Sequence, residues 1–397
     1  NERVNRFVEN NPDIRIIGID RGERHLLYYT VINQSGKILE QGSLNKISSD
    51  YRTPEGAEVE KVTDYHELLN RKEGDRRAAR QTWDTIENIK ELKEGYLSQV
   101  VHKLTTLMIK HNAVVVLENL NQNFKRSRIK VEKQVYQKFE KALIDKLNYL
   151  VFKDRPYGAP GSYANGLQLT APFESFDRLG KQTGALYYVV PSYTSHIDPK
   201  TGFVNLLGAK LRYESVVKAQ ETMKKIGSFK FNPERNWFEI SFDYGDFGIE
   251  MAHPQWTACT HGDAYWGYNP KEKRAVSYDV TEEIKKLLTE YGIDYGTGAD
   301  IKEAAIRQTK PAFWKTLFYM LKLALQLRNT VAGTDNENDY ILSPVEYEAG
   351  KFFDSRKAGE DEPQNADANG AYHIAMKGLQ ALRRIEDGKV NKFPKNG

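Results

Sequence analysis

The sequence predicts an α/β fold in which a mixed β-sheet is flanked by helices. Apolar runs typical of buried strands occupy residues 13–20 and 113–120 of the 397-residue chain. Between them, apolar residues recur at three- and four-residue steps over residues 82–110, which indicates an amphipathic helix. Strands that alternate with helices along a chain are typical of a sheet covered by helices.

The first part of the chain is predicted to form a three-stranded meander. Residues 13–20 are apolar on both faces, which is typical of a central strand. Two more strand-like runs, residues 26–32 and 37–43, are joined by Asn-Gln-Ser-Gly, a composition that favours a hairpin turn. Asp20 ends the first strand in phase with its apolar residues.

A basic stretch and a fourth strand follow the meander. Residues 53–80 have a helix-favouring composition, with five cations and only two acids between residues 71 and 80, and they predict a basic helix. The longer helix at 82–110 comes next. Residues 113–120 are rich in valine and predict a buried strand that ends at Glu118.

The remaining elements lead to a second domain and a last helix. Residues 124–133 carry five cations and one acid, and they precede a predicted helix at 136–149 and a predicted strand at 186–190. The composition then changes, so we predict an inserted domain with one strong helix at 301–328. The last helix is predicted at 366–385, where Asp367 opens it in phase with apolar residues.

Composition excludes several classes of protein. The net charge is only +4 and 40% of the residues are hydrophobic, which excludes a disordered chain. A single cysteine, Cys259, excludes an intramolecular disulfide and a zinc site built from several cysteines. No apolar run approaches the roughly 20 residues of a membrane helix, so we expect no membrane association. Because the chain begins at Asn1 and enters a strand pattern early, we expect a piece of a longer cytoplasmic polypeptide.

Three carboxylates stand on predicted apolar faces: Asp20 and Glu118 end strands, and Asp367 opens a helix. Buried acids are costly to desolvate, and three together repel one another unless cations neutralise them. Mg²⁺ prefers oxygen ligands, and two ions about 3.5 to 4 Å apart can promote phosphodiester hydrolysis. Structural explanations stay open as well: Asp20 as a residue entering a turn, Glu118 as a charge at the sheet rim, and Asp367 as an acid favoured by a helix N-terminus.

The order of these elements, with acids at the first strand, the fourth strand and the last helix, is that of the RNase H-like nucleases. Closer resemblance is carried by five segments: Gly-Ile-Asp-Arg-Gly-Glu-Arg from Gly18, Val-Leu-Glu-Asn-Leu-Asn from Val116, the run from Glu132 to Lys141, Asp-Lys-Leu-Asn-Tyr from Asp145, and Asp-Ala-Asn-Gly-Ala-Tyr-His-Ile from Asp367. Over essentially the whole chain, they resemble the RuvC-like nuclease of the type V-A CRISPR effectors, the Cas twelve-a family.

The resemblance implies an RNA-guided endonuclease that cuts both DNA strands in one RuvC-like active site. It implies that Asp20, Glu118 and Asp367 form a metal-binding catalytic triad, with two Mg²⁺ ions expected and Mn²⁺ as a substitute. Arg328 matches an arginine whose loss in the family impairs cutting, and Asp339 matches another acidic position. From the sequence pattern alone, Arg328 ends an apolar row of the predicted helix. In that position, its guanidinium suits phosphate binding better than base catalysis. The alternative is that a cation lies in the last helical turn only because it interacts favourably with the helix dipole.

The resemblance also implies a domain organisation. RuvC segments are expected at residues 1–62, 83–190 and 363–397, and the second of them contains a lid. A bridge helix is expected at residues 63–82, and a Nuc domain at residues 191–362.

Nucleic-acid contacts are expected from the cations of the predicted bridge helix and lid. These residues are Arg71, Arg76, Arg77, Arg80, Lys125, Arg126, Arg128, Lys130 and Lys133. These segments contain far more cations than acids, which favours binding to the phosphate backbone of a nucleic acid, because such binding releases the counterions condensed on it. A solvated charged surface is the alternative. By the same resemblance, Trp83 matches a tryptophan that anchors the nuclease to a recognition lobe. The alternative is that Trp83 is an ordinary aromatic residue in the core of its own domain.

Guide RNA and target DNA are the partners that the resemblance implies, in a monomeric effector of prokaryotic antiviral defence. The family's N-terminal recognition lobe is missing from this sequence, so we expect these residues alone to bind guide RNA weakly. Two other functions stay open: a catalytically silent, guide-dependent DNA-binding module, and a resolvase or transposase of the same fold. The three retained carboxylates argue against the first, and the inserted domain and basic helix argue against the second.

Overall fold

The structure is a computed structural model that describes residues 10–21, 27–52, 56, 58–65, 67–68, 71, 89–119, 130–261, 265–269, 274–329 and 339–386. The chain divides into two compact units. The first comprises Asn1–Thr194 and Gly370–Gly397, and the second comprises Ser195–Asn369. The predicted domain organisation, with its bridge helix, lid and Nuc domain, stays a prediction.

The first unit is built on a mixed β-sheet. Its strands are β1 (Arg15–Asp20), β2 (Tyr28–Ile32), β3 (Ile38–Ser43), β4 (Lys46–Arg52), β5 (Glu58–Asp64), β6 (Ala113–Glu118) and β7 (Leu186–Val189). Five of them form a sheet in the order β3-β2-β1-β6-β7. β1 is antiparallel to β2 and parallel to β6, which is parallel to β7. The predicted fold class and the predicted meander are therefore confirmed.

Helices cover both faces of this sheet. The helices of the described residues are α1 (Ile89–His111), α2 (Lys130–Asn148), α3 (Val216–Lys224), α4 (Val280–Glu290), α5 (Lys302–Ile306), α6 (Pro311–Ala324) and α7 (Ala366–Glu386). On one face, Ile17 of β1 packs with Leu104 of α1 and Phe139 of α2. On the other, Ile16 packs with Ile374 of α7. Alternate residues of β1 thus enter two cores, which explains why the strand is apolar on both faces.

The predicted basic helix at residues 53–80 is wrong at its beginning. Residues 58–64 form β5, which pairs antiparallel with β4. Val59, Val62 and Thr63 are β-branched and favour a strand, whereas the prediction rested on cations further along the chain. Residues 65, 67, 68 and 71 are helical, and residues 72–88 lie outside the described part of the chain.

The second unit combines small sheets with helices. Its strands are β8 (Ile226–Asn232), β9 (Trp237–Asp243), β10 (Gln255–Cys259), β11 (Tyr265–Asn269), β12 (Arg274–Tyr278), β13 (Arg328–Asn329), β14 (Tyr340–Glu348) and β15 (Lys351–Asp354). They form sheets in the orders β10-β9-β8, β11-β12 and β13-β14-β15. One apolar core joins them to the helices, with Phe229, Phe238, Trp314 and Phe318 among its buried aromatic residues.

The predicted single helix at residues 301–328 is wrong. Two helices, α5 and α6, occupy this stretch, and residues 307–310 separate them. Pro311 is the first residue of α6, where its missing N–H costs no hydrogen bond, whereas inside one long helix it would remove one. α6 ends at Ala324, and Arg328 begins β13, which pairs with β14. Arg328 is therefore not in a last helical turn, and the helix dipole does not explain its position.

Over the residues that the structure describes, no helix is both long and apolar enough to cross a lipid bilayer. The longest, α1, buries apolar residues such as Val100 and Leu104 against the sheet and exposes polar ones such as Gln99. Its apolar side is therefore used in the core of the first unit.

Candidate active site

Two of the predicted acids end neighbouring parallel strands. Asp20 is the last residue of β1, and Glu118 is the last residue of β6. The register pairs Ile19 with Leu117, so the residues that follow them, Asp20 and Glu118, lie side by side at the same edge of the sheet. Matching positions of parallel strands point to the same face. Only 7% of Asp20 and 8% of Glu118 is exposed, so two carboxylates lie largely buried on one face at one edge.

Helix α7 passes close to the end of β1. A Cβ atom added to Gly370 would lie 2.3 Å from Oδ2 of Asp20. A Cβ atom added to Gly18 would lie 2.1 Å from the backbone oxygen of Ala371. Both distances are far below van der Waals contact, so an added Cβ atom would displace the backbone of α7 at Gly18 and the carboxylate of Asp20 at Gly370.

Glu118 is hydrogen-bonded at its side chain and at its backbone. The hydroxyl of Thr194 donates to Oε1 of Glu118. Nη2 of Arg21 donates to the backbone oxygen of Glu118 at 3.1 Å. One acid of the pair is therefore fixed by two residues from different segments of the first unit.

Arg21 extends from the end of β1 to α2. Its Nη1 lies 3.5 Å from Oε1 of Glu140, and its guanidinium carbon lies 5.1 Å from the centroid of the Tyr136 ring. Both charged side chains are buried. Burial raises the pKa of Glu140 to about 7, against the opposing effect of Arg21. This carboxyl group therefore changes its charge near neutral pH.

Lys377 of α7 binds the segment that follows β7. Its Nζ donates to the backbone oxygens of Val190 and Ser192 at 3.0 and 2.7 Å. Burial lowers the pKa of Lys377, and the charge of Glu118 acts in the opposite direction. The ammonium group therefore lies within electrostatic range of the acid at the end of β6.

In the second unit, three predicted residues form one cluster of charges. Arg328 donates through Nε and Nη2 to Oδ2 of Asp339 at 3.0 and 2.8 Å. The same Nη2 donates to Oδ1 of Asp367 at 3.2 Å. Burial lowers the pKa of His196, and the charge of Arg328 lowers it further. The guanidinium thus holds two largely buried carboxylates, where charge-assisted hydrogen bonds are strong.

Asp367 lies in the first turn of α7, as predicted. Asn365 caps this helix, because its Oδ1 accepts a hydrogen bond from the backbone N–H of Ala368 at 2.8 Å. An acid in the first turn is also favoured by the helix dipole.

The predicted nucleic-acid contacts fall mostly on residues that the structure does not describe. Arg71 is helical and exposed, and Lys130 and Lys133 lie in the first turns of α2. The other predicted contacts, together with the predicted anchor, lie outside the described residues; they are Arg76, Arg77, Arg80, Trp83, Lys125, Arg126 and Arg128. Their roles stay predictions.

The donor chemistry of Asp20 and Glu118 fits a hard divalent cation. Mg²⁺ takes oxygen ligands and commonly uses one or two carboxylates, with water and substrate phosphate completing its coordination. Within the described ranges, no group of three or more His, Cys, Asp or Glu side chains is arranged to hold a metal ion. Asp367 instead contacts Arg328. The two strand-end acids are thus a suitable pair of ligands, and the three-acid site stays a prediction.

A mixed sheet in the order β3-β2-β1-β6-β7, with helices on both faces and acids at two parallel strand ends, is the architecture of an RNase H-like fold. Residues 1–396 match the family described as the RuvC nuclease domain, and the chain belongs to this family. Membership supports nuclease activity and confirms the predicted RuvC-type fold. RuvC nucleases generally use divalent metal ions.

Sequence reasoning missed three residues around Glu118. Arg21 lies directly after Asp20, in the motif that begins at Gly18, and this position next to a predicted ligand could have indicated a role in the site. Thr194 follows β7 in an ordinary polar stretch, and nothing in its local sequence distinguishes it. Lys377 is one of three cations of α7, with Arg383 and Arg384, and nothing in its local sequence distinguishes it.

Proposed function

We propose that the chain is the nuclease portion of an RNA-guided CRISPR effector of type V-A, and that it hydrolyses phosphodiester bonds of target and non-target DNA in one active site. One observation carries the proposed site: Asp20 and Glu118 end adjacent parallel strands, on one face and largely buried. Membership of the RuvC nuclease family supports the reaction class. The motifs quoted above, in their family order, support the narrower class.

The proposed ligands for divalent metal ions, with two Mg²⁺ ions expected, are Asp20, Glu118 and Asp367. Bound ions would activate water and stabilise the attacking and leaving oxygens. Asp20 and Glu118 offer hard oxygen donors in a buried setting, where two like charges raise the energy unless a cation is present. Asp367 is included because it begins the last of the motifs that carry the resemblance.

Arg328 is the proposed phosphate-binding residue, and it also orients Asp367. Its planar set of N–H donors recognises a carboxylate and a phosphate by the same geometry. Asp339 accepts two of these N–H groups on one oxygen, so its proposed role is to fix the guanidinium rather than to bind an ion.

Guide RNA and target DNA are the proposed partners, with the cations of the predicted bridge helix and lid as contacts. Arg71 is exposed and available for such a contact. The proposed binding is electrostatic, so it should weaken as the salt concentration rises.

Cleavage and metal binding together test this function. The full-length, guide-loaded effector that contains this chain is incubated with labelled single-stranded DNA and Mg²⁺ or Mn²⁺, as the parent and as its Asp20→Asn and Glu118→Gln variants. Mn²⁺ binding to the 397-residue chain and to the same variants of it is followed by calorimetry. We expect the parent to cut and both variants to lose cutting and Mn²⁺ affinity. Asp145→Asn, which changes an exposed acid of α2, should behave as the parent. Cutting that survives in both site variants, or a parent that cuts with neither ion, would contradict the proposal.

The silent DNA-binding module is a second candidate, because one observation favours it: Arg328 occupies Oδ1 of Asp367, one of the three proposed metal ligands. A full-length, guide-loaded effector that contains this chain separates the two functions. The nuclease predicts guide-dependent cutting that Asp20→Asn abolishes while DNA binding persists. The silent module predicts binding without cutting in the parent and in the variant alike.

A further inference from the structure

Two residues outside the predicted acids hold Glu118 at separate points. The hydroxyl of Thr194 donates to Oε1 of the carboxylate, and Nη2 of Arg21 donates to the backbone oxygen at 3.1 Å. These contacts restrict different motions. The first opposes rotation of the carboxylate, and the second opposes movement of the end of β6.

Thr194 is itself well supported. It begins the 3₁₀ helix Thr194–His196 after β7 and is buried. Lys377 ties the segment before it to α7 through the backbone oxygens of Val190 and Ser192. A carboxylate has about four acceptor sites, so one hydroxyl contact orients the group and leaves acceptor capacity for other partners.

Arg21 connects three elements through one side chain. It follows Asp20 directly, donates to the end of β6, and contacts Glu140 and Tyr136 of α2. A buried ion pair of this kind adds little net stability, because desolvation offsets the attraction between the charges. Its specific effect is geometric, since it fixes the end of β6 relative to the residue that follows Asp20.

We propose that Arg21 and Thr194 are positioning residues that set the carboxylate of Glu118 relative to Asp20. The inference rests on the proposed function, because it concerns the same pair of acids. Partners that hydrogen-bond metal ligands commonly change metal affinity about 10- to 100-fold when they are replaced. We therefore expect an effect on metal binding from two residues that supply no metal ligand.

The test compares Thr194→Val with Thr194→Ser in the 397-residue chain. Valine has the shape of threonine without the hydroxyl, and serine keeps the hydroxyl. Binding of Mn²⁺ alone is measured by isothermal titration calorimetry, together with the thermal unfolding midpoint. We expect Thr194→Val to weaken Mn²⁺ binding about 10-fold, and Thr194→Ser to bind close to the parent value.

Arg21→Lys tests the second contact. Lysine keeps the charge but lacks the fork that reaches the backbone oxygen and Glu140 together. We expect about 10-fold weaker Mn²⁺ binding and, in DNA cleavage, a lower kcat with little change in KM. The matched control for Thr194→Val is Thr106→Val, which removes an exposed hydroxyl that donates within α1. It should change neither the Mn²⁺ affinity nor the kcat of DNA cleavage.

Glu118→Gln separates the possible outcomes. If this variant binds Mn²⁺ as tightly as the parent, the proposed function fails and the positioning inference fails with it. If Glu118→Gln weakens binding but Thr194→Val and Arg21→Lys do not, the proposed function stands and the positioning inference is wrong. Equal losses in Thr194→Val and Thr194→Ser would also contradict it, because the hydroxyl would not be the cause.

Discussion

Arg328 donates to a single oxygen of Asp339 through two of its nitrogens, Nε at 3.0 Å and Nη2 at 2.8 Å. The same Nη2 also reaches Oδ1 of Asp367. One guanidinium therefore pairs with two buried acids, one just before β14 and one in the first turn of α7. Removing the guanidinium takes away a cation that these two buried carboxylates share.

Arg328→Met is therefore expected to destabilise the protein by about 3 kcal/mol at neutral pH, as is usual when one partner of a buried ion pair is removed. Urea-induced unfolding of the parent and the variant measures this loss. Asp339→Asn in the Arg328→Met background should recover part of it, because the substitution removes one of the buried charges.

The pair of Arg356 and Asp354 is a matched control. Arg356 also donates to its partner through two nitrogens, but 31% of its side chain is exposed, against 16% for Arg328. Solvent screening reduces the value of such a pair, so Arg356→Met should cost about 1 kcal/mol or less. Equal losses at both arginines would show that burial does not set the strength of the Arg328 contacts.

Glu140 makes stability depend on pH. Burial raises its folded-state pKa from 4.5 to about 7, so the folded chain binds this proton more tightly than the unfolded chain. The contribution is complete below pH 4.5 and is lost as the pH rises through 7, by about 3 kcal/mol at most. Glu140→Gln removes the group that titrates.

Urea unfolding of the parent and of Glu140→Gln, at several pH values between 5 and 8, measures this effect. The parent should lose more stability than the variant over that interval. Other acids and histidines titrate equally in both proteins, so the difference between the two curves isolates Glu140. Parallel curves would mean that its pKa is not raised in the folded state.

The sequence predicted the sheet of the first unit well, because local patterns determine it. The alternation of Ile16 and Ile17 between two cores was visible as a run that is apolar on both faces. The end of β6 at Glu118 and the start of α7 beside Asp367 were also predicted, since each marks the limit of an apolar repeat.

The sequence could not predict contacts that join distant segments. Thr194 meets Glu118 across 76 positions and Arg21 meets it across 97, so no local pattern records either contact. The error at Arg328 has a different cause. Apolar residues recur at helical spacing on both sides of Pro311 and beyond Ala324, so the pattern predicted one continuous helix. The structure instead has a break before Pro311 and a strand that begins at Arg328.

Gly18 sets how closely α7 approaches the sheet. A Cβ atom there would lie 2.1 Å from the backbone oxygen of Ala371 and 2.5 Å from the backbone nitrogen of Ala375. Backbone atoms of a long helix cannot move aside individually, so Gly18→Ala should destabilise the protein by about 3 kcal/mol or more. Thermal and urea unfolding measure the loss.

Gly95→Ala provides the control for this substitution. Gly95 is an exposed residue of α1, and nothing lies within 4 Å of an added Cβ atom. Alanine favours a helix over glycine by about 1 kcal/mol, so Gly95→Ala should stabilise the protein slightly. If both substitutions had the same sign, the close approach at Gly18 would not be the cause of its effect.

Gly370 meets an acid rather than backbone, and its replacement should therefore affect the site more than the fold. A Cβ atom at Gly370 would lie 2.3 Å from Oδ2 and 2.7 Å from Cγ of Asp20. The carboxylate can rotate away, and alanine favours the helix, so we expect little change in the unfolding midpoint. The displaced carboxylate should bind Mn²⁺ about 10-fold more weakly in calorimetry.

Gly378→Ala is the matched control on the same helix. Its Cβ atom would lie 2.5 Å from a methyl group of Val116 and 3.0 Å from the hydroxyl of Tyr187, with no acid nearby among these contacts. We expect this variant to lose stability through overpacking and to keep its Mn²⁺ affinity, which is the opposite of the Gly370→Ala result. If Gly370→Ala kept full Mn²⁺ affinity, the carboxylate of Asp20 would not be a metal ligand in the position that the structure gives it.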